Sequence, residues 1–269
     1  MLLPLEPVTA GLVAVIMLLD DSWNDPARWN DLLIAVWFTA DALANQGSRR
    51  PGLLVDRAGG IAGIELVNLV QSVARTRQLD LYARVVPEAR NASTVVADML
   101  AAGIDGFIYT GTPERAATVA RALDGEGFSG PRFLDAPSAT APSATASFTA
   151  AAGGAAEGWR TVTSYSDPDS APLGFATAFR ERYGSAPGTW AAETYDTTRP
   201  VIDRLTDLAG PNGRRPSRAQ LTKAVSKARF KGLTMTYEFD EAGQLKPLKV
   251  HQYRVEDGKF AYVGAVGQA

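Results

Sequence analysis

The chain has no cysteine among its 269 residues. That excludes disulfide bonds, thiol catalysis and thiolate metal ligation, and with them a lipid-bearing cysteine within this sequence. Histidine is almost absent too. His251 is the single one, so a Ser-His-Asp triad or a histidine metal site would have to be built around it. It lies in an alternating segment beside Val250, Gln252 and Tyr253, where it reads as an ordinary strand residue. Neither sign of charge dominates: 27 basic and 29 acidic residues leave a net charge of −2. With no basic run, nucleic acid is not an expected partner.

Long hydrophobic runs are missing as well. Gly11–Leu19 (GLVAVIMLL) is apolar but too short to span a bilayer, and Asp20 and Asp21 follow at once. As a signal peptide it lacks a basic leading region, since Glu6 is the only charge ahead of it, and no A-x-A site follows. Its length and β-branched content predict a buried strand. Export is therefore not expected from this sequence itself, and location stays unassigned. The G-x-S-x-G, Walker A, H-E-x-x-H and EF-hand patterns are also absent. Gly59-Gly60-Ile61-Ala62-Gly63 follows a strand and opens a helix, but its spacing is not G-x-G-x-x-G and no acid ends the next strand to hold a ribose. Acid pairs such as Asp20-Asp21, and Asp167 with Asp169, come with no assembled ligand set. No metal, cofactor or acid–base set is expected.

What is present is a regular alternation. With 46% hydrophobic content, the chain can bury a substantial core, as one large domain or two small lobes. Residues 29–45 show helical spacing and stop at Gly47. Gly52–Asp56 (GLLVD), Leu81–Val86, Ile104–Tyr109 and Arg132–Ala136 are short apolar runs suited to buried parallel strands. Between them lie helical patterns carrying Leu66, Leu69, Val70 and Val73, then Ser93–Leu100, then Ala116, Val119, Ala120 and Leu123. Thr112-Pro113-Glu114 supplies a cap, a first-turn proline and a first-turn acid for the third helix. Strand and helix at this pitch predict an α/β doubly wound parallel sheet.

Residues 136–156 break the rhythm. A tandem Pro-Ser-Ala-Thr repeat and an Ala/Gly-rich run predict a surface loop or a short irregular helix, with a ligand-rim loop as the alternative. Gly158–Ser164 reads as a strand, and Phe175, Phe179 and Tyr183 line a helix ending at Gly184. The next helix, capped by Thr189, carries Pro200 about three turns inside, so either it kinks there or a first helix stops at Thr198. A short helix at Gln220–Ala228 leads to strands at Thr234–Phe239 and Lys249–Val255, separated by a turn at Glu241-Ala242-Gly243.

The back third carries a more specific signal. GFATAFRERYG with a following proline, AAETYDTTRP before an apolar helix, FKGLT with YEFDEAGQL, and a closing strand stand in that order between Gly174 and Gly264. This order resembles branched-chain amino-acid-binding proteins, the type I periplasmic-binding family that feeds ABC importers. The resemblance implies two α/β lobes and non-catalytic binding of an amino acid or similar small polar molecule between them. It divides the chain into a reduced first lobe (1–48 and 174–245) and an intact second lobe (49–173 and 246–269). Implied partners are the small molecule itself, an ABC permease, or a homo- or hetero-oligomer partner. In open α/β sheets the ligand lies beyond the carboxyl ends of the strands. That places Tyr109, Thr110, Gly111 and Thr112 of the IYTGTPE loop at the ligand, with hydroxyls and helix-start N–H groups for a carboxylate. Asp135 and Ser138 of LDAPSA would meet an ammonium group. The chain departs from the family where a tyrosine often precedes glycine, offering Gly60 and Ile61 instead, and its Tyr109 loop is shortened. Only residues 1–48 precede the second-lobe pattern, so the chain is expected to be a shortened member. The alternative function is an interaction module that has kept the sheet and lost its ligand.

Overall fold

The computed structural model describes residues 39–59, 62–134, 142–211, 213–240, 245–246 and 250–266. They fall into two compact units, residues 39–164 with 250–266, and residues 165–246.

The larger unit is built on a seven-stranded sheet. Helical residues 39–45 precede β1 (Pro51–Asp56), followed by α1 (Ala62–Thr76) and β2 (Tyr82–Val86). A 3-10 turn then leads into α2 (Val96–Ala101), β3 (Gly106–Thr110), α3 (Pro113–Gly125) and β4 (Arg132–Leu134). The chain continues through α4 (Pro142–Ala152) and β5 (Arg160–Thr163). In space the strands run β2-β1-β3-β4-β5, all parallel. The sheet is completed by β9 (Val250–Glu256) and β10 (Lys259–Val266), each antiparallel to its neighbour. The doubly wound expectation therefore holds for the five parallel strands. The closing hairpin is longer than the sequence pattern implied, because β10 follows β9 across a tight turn at Asp257 and Gly258, both at positive φ.

Strand alternation splits the core cleanly into two layers. Leu54, Phe107, Tyr109, Leu134 and Val255 face the layer that also contains Ala116, Val119, Leu123, Phe148 and Trp159. Leu53, Val55, Ile108, Phe133, Val162 and Val250 face the opposite layer, with Ala40, Leu43, Val70 and Val73. A one-residue slip would invert both sets, so register is strongly fixed.

One sequence expectation needs correction. Residues 142–152 form a regular helix rather than a loop. Proline is tolerated in a first helical turn, the alanines favour helix, and Phe148 is fully buried with its ring 5.5 Å from that of Trp159. At Pro200 one of the two alternatives is excluded: the helix does not stop at Thr198 but runs on through the proline.

The smaller unit contains α5 (Phe175–Tyr183), α6 (Ala191–Ala209) and α7 (Arg218–Ser226). Its strands β6 (Phe230–Lys231), β7 (Thr236–Phe239) and β8 (Leu245–Lys246) form a small antiparallel sheet. Pro200 sits inside α6, whose cap residue is Trp190 in a left-handed conformation rather than Thr189. α7 opens with a capping box between Ser217 and Gln220. The segments around 11–19 and 29–38, and the turn at 241–243, lie outside the described residues.

Candidate functional site

Sheet growth reverses between β1 and β3. The chain passes from β1 outward to β2, then returns to place β3 on β1's other side. At such a switch point the loops leaving two adjacent strands diverge and open a crevice beyond their carboxyl ends. Here those ends are Asp56 and Thr110, and the loops are Arg57–Gly59 and residues 111–112.

The two loops touch through glycines. A Cβ on Gly59 would lie 2.8 Å from the Gly111 Cα, and a Cβ on Gly111 would lie 2.3 Å from the Tyr109 hydroxyl and 2.8 Å from the Asp56 Cβ. A larger residue at Gly59 would displace the Gly111 backbone, and one at Gly111 would displace the Tyr109 and Asp56 side chains. Beneath this contact is a buried polar knot. The Asp56 side chain is 0% exposed, and its Oδ2 accepts from the Tyr109 hydroxyl at 2.9 Å and from Arg115 Nε at 2.6 Å. Asp56 Oδ1 accepts from the Ala58 N–H at 3.1 Å, and Arg115 also donates to the Arg90 carbonyl. Burial, reinforced by the Asp56 charge, pushes the Tyr109 phenol well above its usual range, so it remains a donor at any working pH. The same carboxylate raises the Arg115 pKa.

The N-terminus of α3 faces the same end. Thr112 is its half-buried cap residue in extended conformation, without a side-chain bond to the helix backbone. Glu114, in the first turn, is held below the usual carboxylate range by its own backbone N–H, then by the Ser147 hydroxyl and by Thr112. The Ser147 hydroxyl donates to Glu114 Oε1 at 2.9 Å. Asp56 and Arg115 neutralise one another, which leaves Glu114 as the remaining acid of this loop cluster and Arg57 as its remaining base.

Of the residues singled out from sequence, Tyr109, Thr110, Gly111 and Thr112 come together here. Tyr109 is 0% exposed with its hydroxyl committed to Asp56, so it shapes the floor instead of presenting a free group. Thr110 is 4% exposed on the opposite strand face. Asp135 and Ser138 lie outside the described residues. Sequence reasoning missed Arg115 and Glu114, although an arginine and an acid in the first turn of a helix following a strand were visible signals. Among the described residues, no group of three or more His, Asp or Glu could hold a metal ion. No helix among them is long and apolar enough to cross a membrane.

The second polar centre lies in the smaller unit. Asp196, 3% exposed on α6, accepts from the Leu233 N–H at 2.6 Å, the Thr234 N–H at 2.8 Å and the Thr234 hydroxyl at 2.9 Å. The Tyr195-Asp196 and Phe230–Thr234 motifs are thus one structural device that fastens α6 to the β6–β7 turn.

Comparison with known proteins places these features. The sequence matches the periplasmic binding protein family over residues 36–259. No curated protein matches it. The fold is similar to a leucine-binding protein of Thermotoga maritima, with a TM-score of 0.68 and 20% identity over 87% of this chain and 65% of that one. It is also similar to an ABC transporter substrate-binding protein of Desulfitobacterium hafniense in complex with Leu, with a TM-score of 0.63 and 23% identity over 86% and 65%. A third is a solute-binding protein of R. palustris in complex with benzoate, with a TM-score of 0.63 and 18% identity over 88% and 65%. The chain therefore spans 65% of the length of each of these structures.

Proposed function

We propose that this chain, which belongs to the periplasmic binding protein family, holds a small polar molecule of amino-acid type and does so without chemical turnover. The observation that supports this reading is the topological switch point between β1 and β3, where the loops after the two strands meet at Gly59 and Gly111 beside Thr112 and Glu114. Glu114 suits an ammonium group. The N–H groups at the start of α3, beside Thr112, suit a carboxylate or a carbonyl. Asp135 and Ser138 are assigned to the same ligand on the strength of the family resemblance. The wider role that follows is delivery to an ABC-type importer, or sensing, outside the cytoplasmic face. Two of the similar structures are described as complexes, one with Leu and one with benzoate, which supports a small-molecule occupant.

Backbone amide NMR of the full chain, titrated with pooled amino acids and with benzoate, tests the location. Saturable shifts at Gly111, Thr112 and Glu114, weakened in Glu114→Gln for the amino-acid pool but not for benzoate, are the expected result. Saturable binding whose shifts lie elsewhere and are unchanged by Glu114→Gln would refute the assignment.

One observation favours a second reading, an interaction module. In the smaller unit the buried apolar residues among those described are Tyr165, Ala176, Ala192, Pro200 and Tyr237, few of them large. Leu173 is 91% exposed and Ile202 55%, with Tyr195 and Leu205 also exposed. Apolar surface of this kind marks a face that a further polypeptide covers. A chain that dimerises or captures a protein and ignores every small molecule would establish that reading.

A further inference from the structure

A second recess lies wholly within the larger unit. Its volume is about 230 Å³, and it is lined by Asp41, Ala42, Asn45, Gln46, Arg160 and Gln252. Arg160 is the first residue of β5, and helical residues 39–45 end just ahead of β1. The recess therefore sits at the amino-terminal edge of the parallel strands, whereas the crevice of the proposed amino-acid site is at their carboxyl edge.

Its polar groups are unusual in being under-used. Gln252 Nε2 is fully buried and has no hydrogen-bond partner. Among the described residues, no hydrogen bond or ion pair engages the Arg160 guanidinium. Asp41 is the one carboxylate of the lining, and it is already paired with Arg77 at 2.8 Å. Gln46 spends its amide N–H on the Ala42 carbonyl. Directly across the sheet from Arg160 stands a second arginine, Arg254, whose own partner is Glu256 at 3.8 Å. Burial, and after it the charge of Arg254, holds the Arg160 pKa below its usual value, with Glu256 opposing.

Nothing in this arrangement benefits the unliganded fold. Like charges directly opposite one another in a sheet destabilise it, and a half-buried cation and a buried amide without partners both cost free energy. These costs are all relieved by one kind of occupant. A guanidinium offers parallel N–H donors matched to an oxyanion, and Gln252 sits on the adjoining strand, paired with Val162 two residues beyond Arg160 on the same face. We propose that this recess is a second binding site, for a small molecule carrying an oxyanion, either a carboxylate or a phosphate. Arg160 supplies the charge, Gln252 supplies the inner donor and Asn45 closes the rim. The recess, about 230 Å³ and open to solvent on one side, admits an anion the size of phosphate or a short dicarboxylate. Because the two sites lie at opposite sheet edges, both can be filled together.

The test uses the full chain at fixed ionic strength, titrated separately with inorganic phosphate and with succinate, with sodium chloride as the control. The side-chain resonances of Gln252 Nε2 and Arg160 Nε are followed by ¹H–¹⁵N NMR. At least one of the two anions is expected to give a saturable shift of both resonances, and the preference between them identifies the source of the oxyanion. Arg160→Met should weaken that binding by about tenfold or more, while melting at or above the wild-type temperature without anion. Gln252→Leu, followed through the Arg160 resonance, should also weaken it. The proposal is overturned if neither anion shifts these resonances, if chloride does so equally, or if both variants bind as the wild type does.

Discussion

Arg115→Met is expected to destabilise the larger unit by about 3–5 kcal/mol. The reason is not the loss of an attractive pair but the charge it leaves behind. The Asp56 side chain is 0% exposed, and without Arg115 its carboxylate retains only the Tyr109 hydroxyl and the Ala58 N–H. A buried ion pair stripped of one partner costs far more than the intact pair contributes. The double variant Asp56→Asn with Arg115→Met should therefore recover much of the loss, a non-additivity expected for residues in direct contact. Urea unfolding at neutral pH measures both. A single-variant loss below about 1 kcal/mol, in the range of exposed pairs, would show that the knot is solvated and does not shape the crevice.

Asp196→Ala is expected to cost the smaller unit about 3 kcal/mol or more. The substitution orphans two backbone N–H groups and leaves the Thr234 hydroxyl only its bond with the Tyr237 hydroxyl, and unsatisfied buried donors cost roughly 1–3 kcal/mol each, less where water can reach them. The position has a second burden. Pro200 lies four residues after Asp196 inside α6 and cannot make the helical hydrogen bond to the Asp196 carbonyl, so the side-chain anchor acts where the helix is weakest. Gly232→Ala should mimic the effect without changing charge, because its Cβ would fall 2.4 Å from Asp196 Oδ2. Asp196→Asn, which keeps one acceptor, should lose less than Asp196→Ala. Hydrogen exchange resolved to the amides of Leu233 and Thr234 reports this locally. Protection unchanged in Asp196→Ala would contradict the anchoring role.

The fold was legible in the sequence where local signals and burial agree. GLLVD and GFIYT are apolar on both faces, as strands covered by helices on both sides must be, and glycine, proline and capping residues punctuate them. Residues 142–152 were misread because a serine- and threonine-rich stretch with prolines has turn composition. The burial of Phe148 against Trp159 overrode that tendency, and no single-sequence pattern announces such a contact. Pro200 suggested a break for the same reason, since tertiary anchoring at Asp196 is invisible to local propensity. β10 was not recognised, its LysPheAlaTyrValGlyAlaVal run lacking a clean alternation of polar and apolar residues.

The site was legible only in outline. The strand ends followed from the α/β rule, which brought Gly111 and Thr112 into view. The floor did not, because Asp56 and Arg115 lie 59 residues apart and nothing in either neighbourhood links them. The family motifs had a different lesson. Tyr195-Asp196 and Phe230–Thr234 signal the family, and the structure shows that Asp196 and Thr234 are spent on each other. They mark the architecture of the smaller unit.

The most direct test of the central claim is a set of thermal melts of the purified full chain, alone and with each of the twenty amino acids and benzoate. A ligand present at about a hundred times its Kd adds about 2.7 kcal/mol to stability. For a chain of this size that is a rise of roughly 5–10 °C. The account predicts such a rise with one chemical class and recovery of that compound unchanged from the sample. A cooperative melt that no compound shifts, or a ligand returned chemically altered, would contradict it.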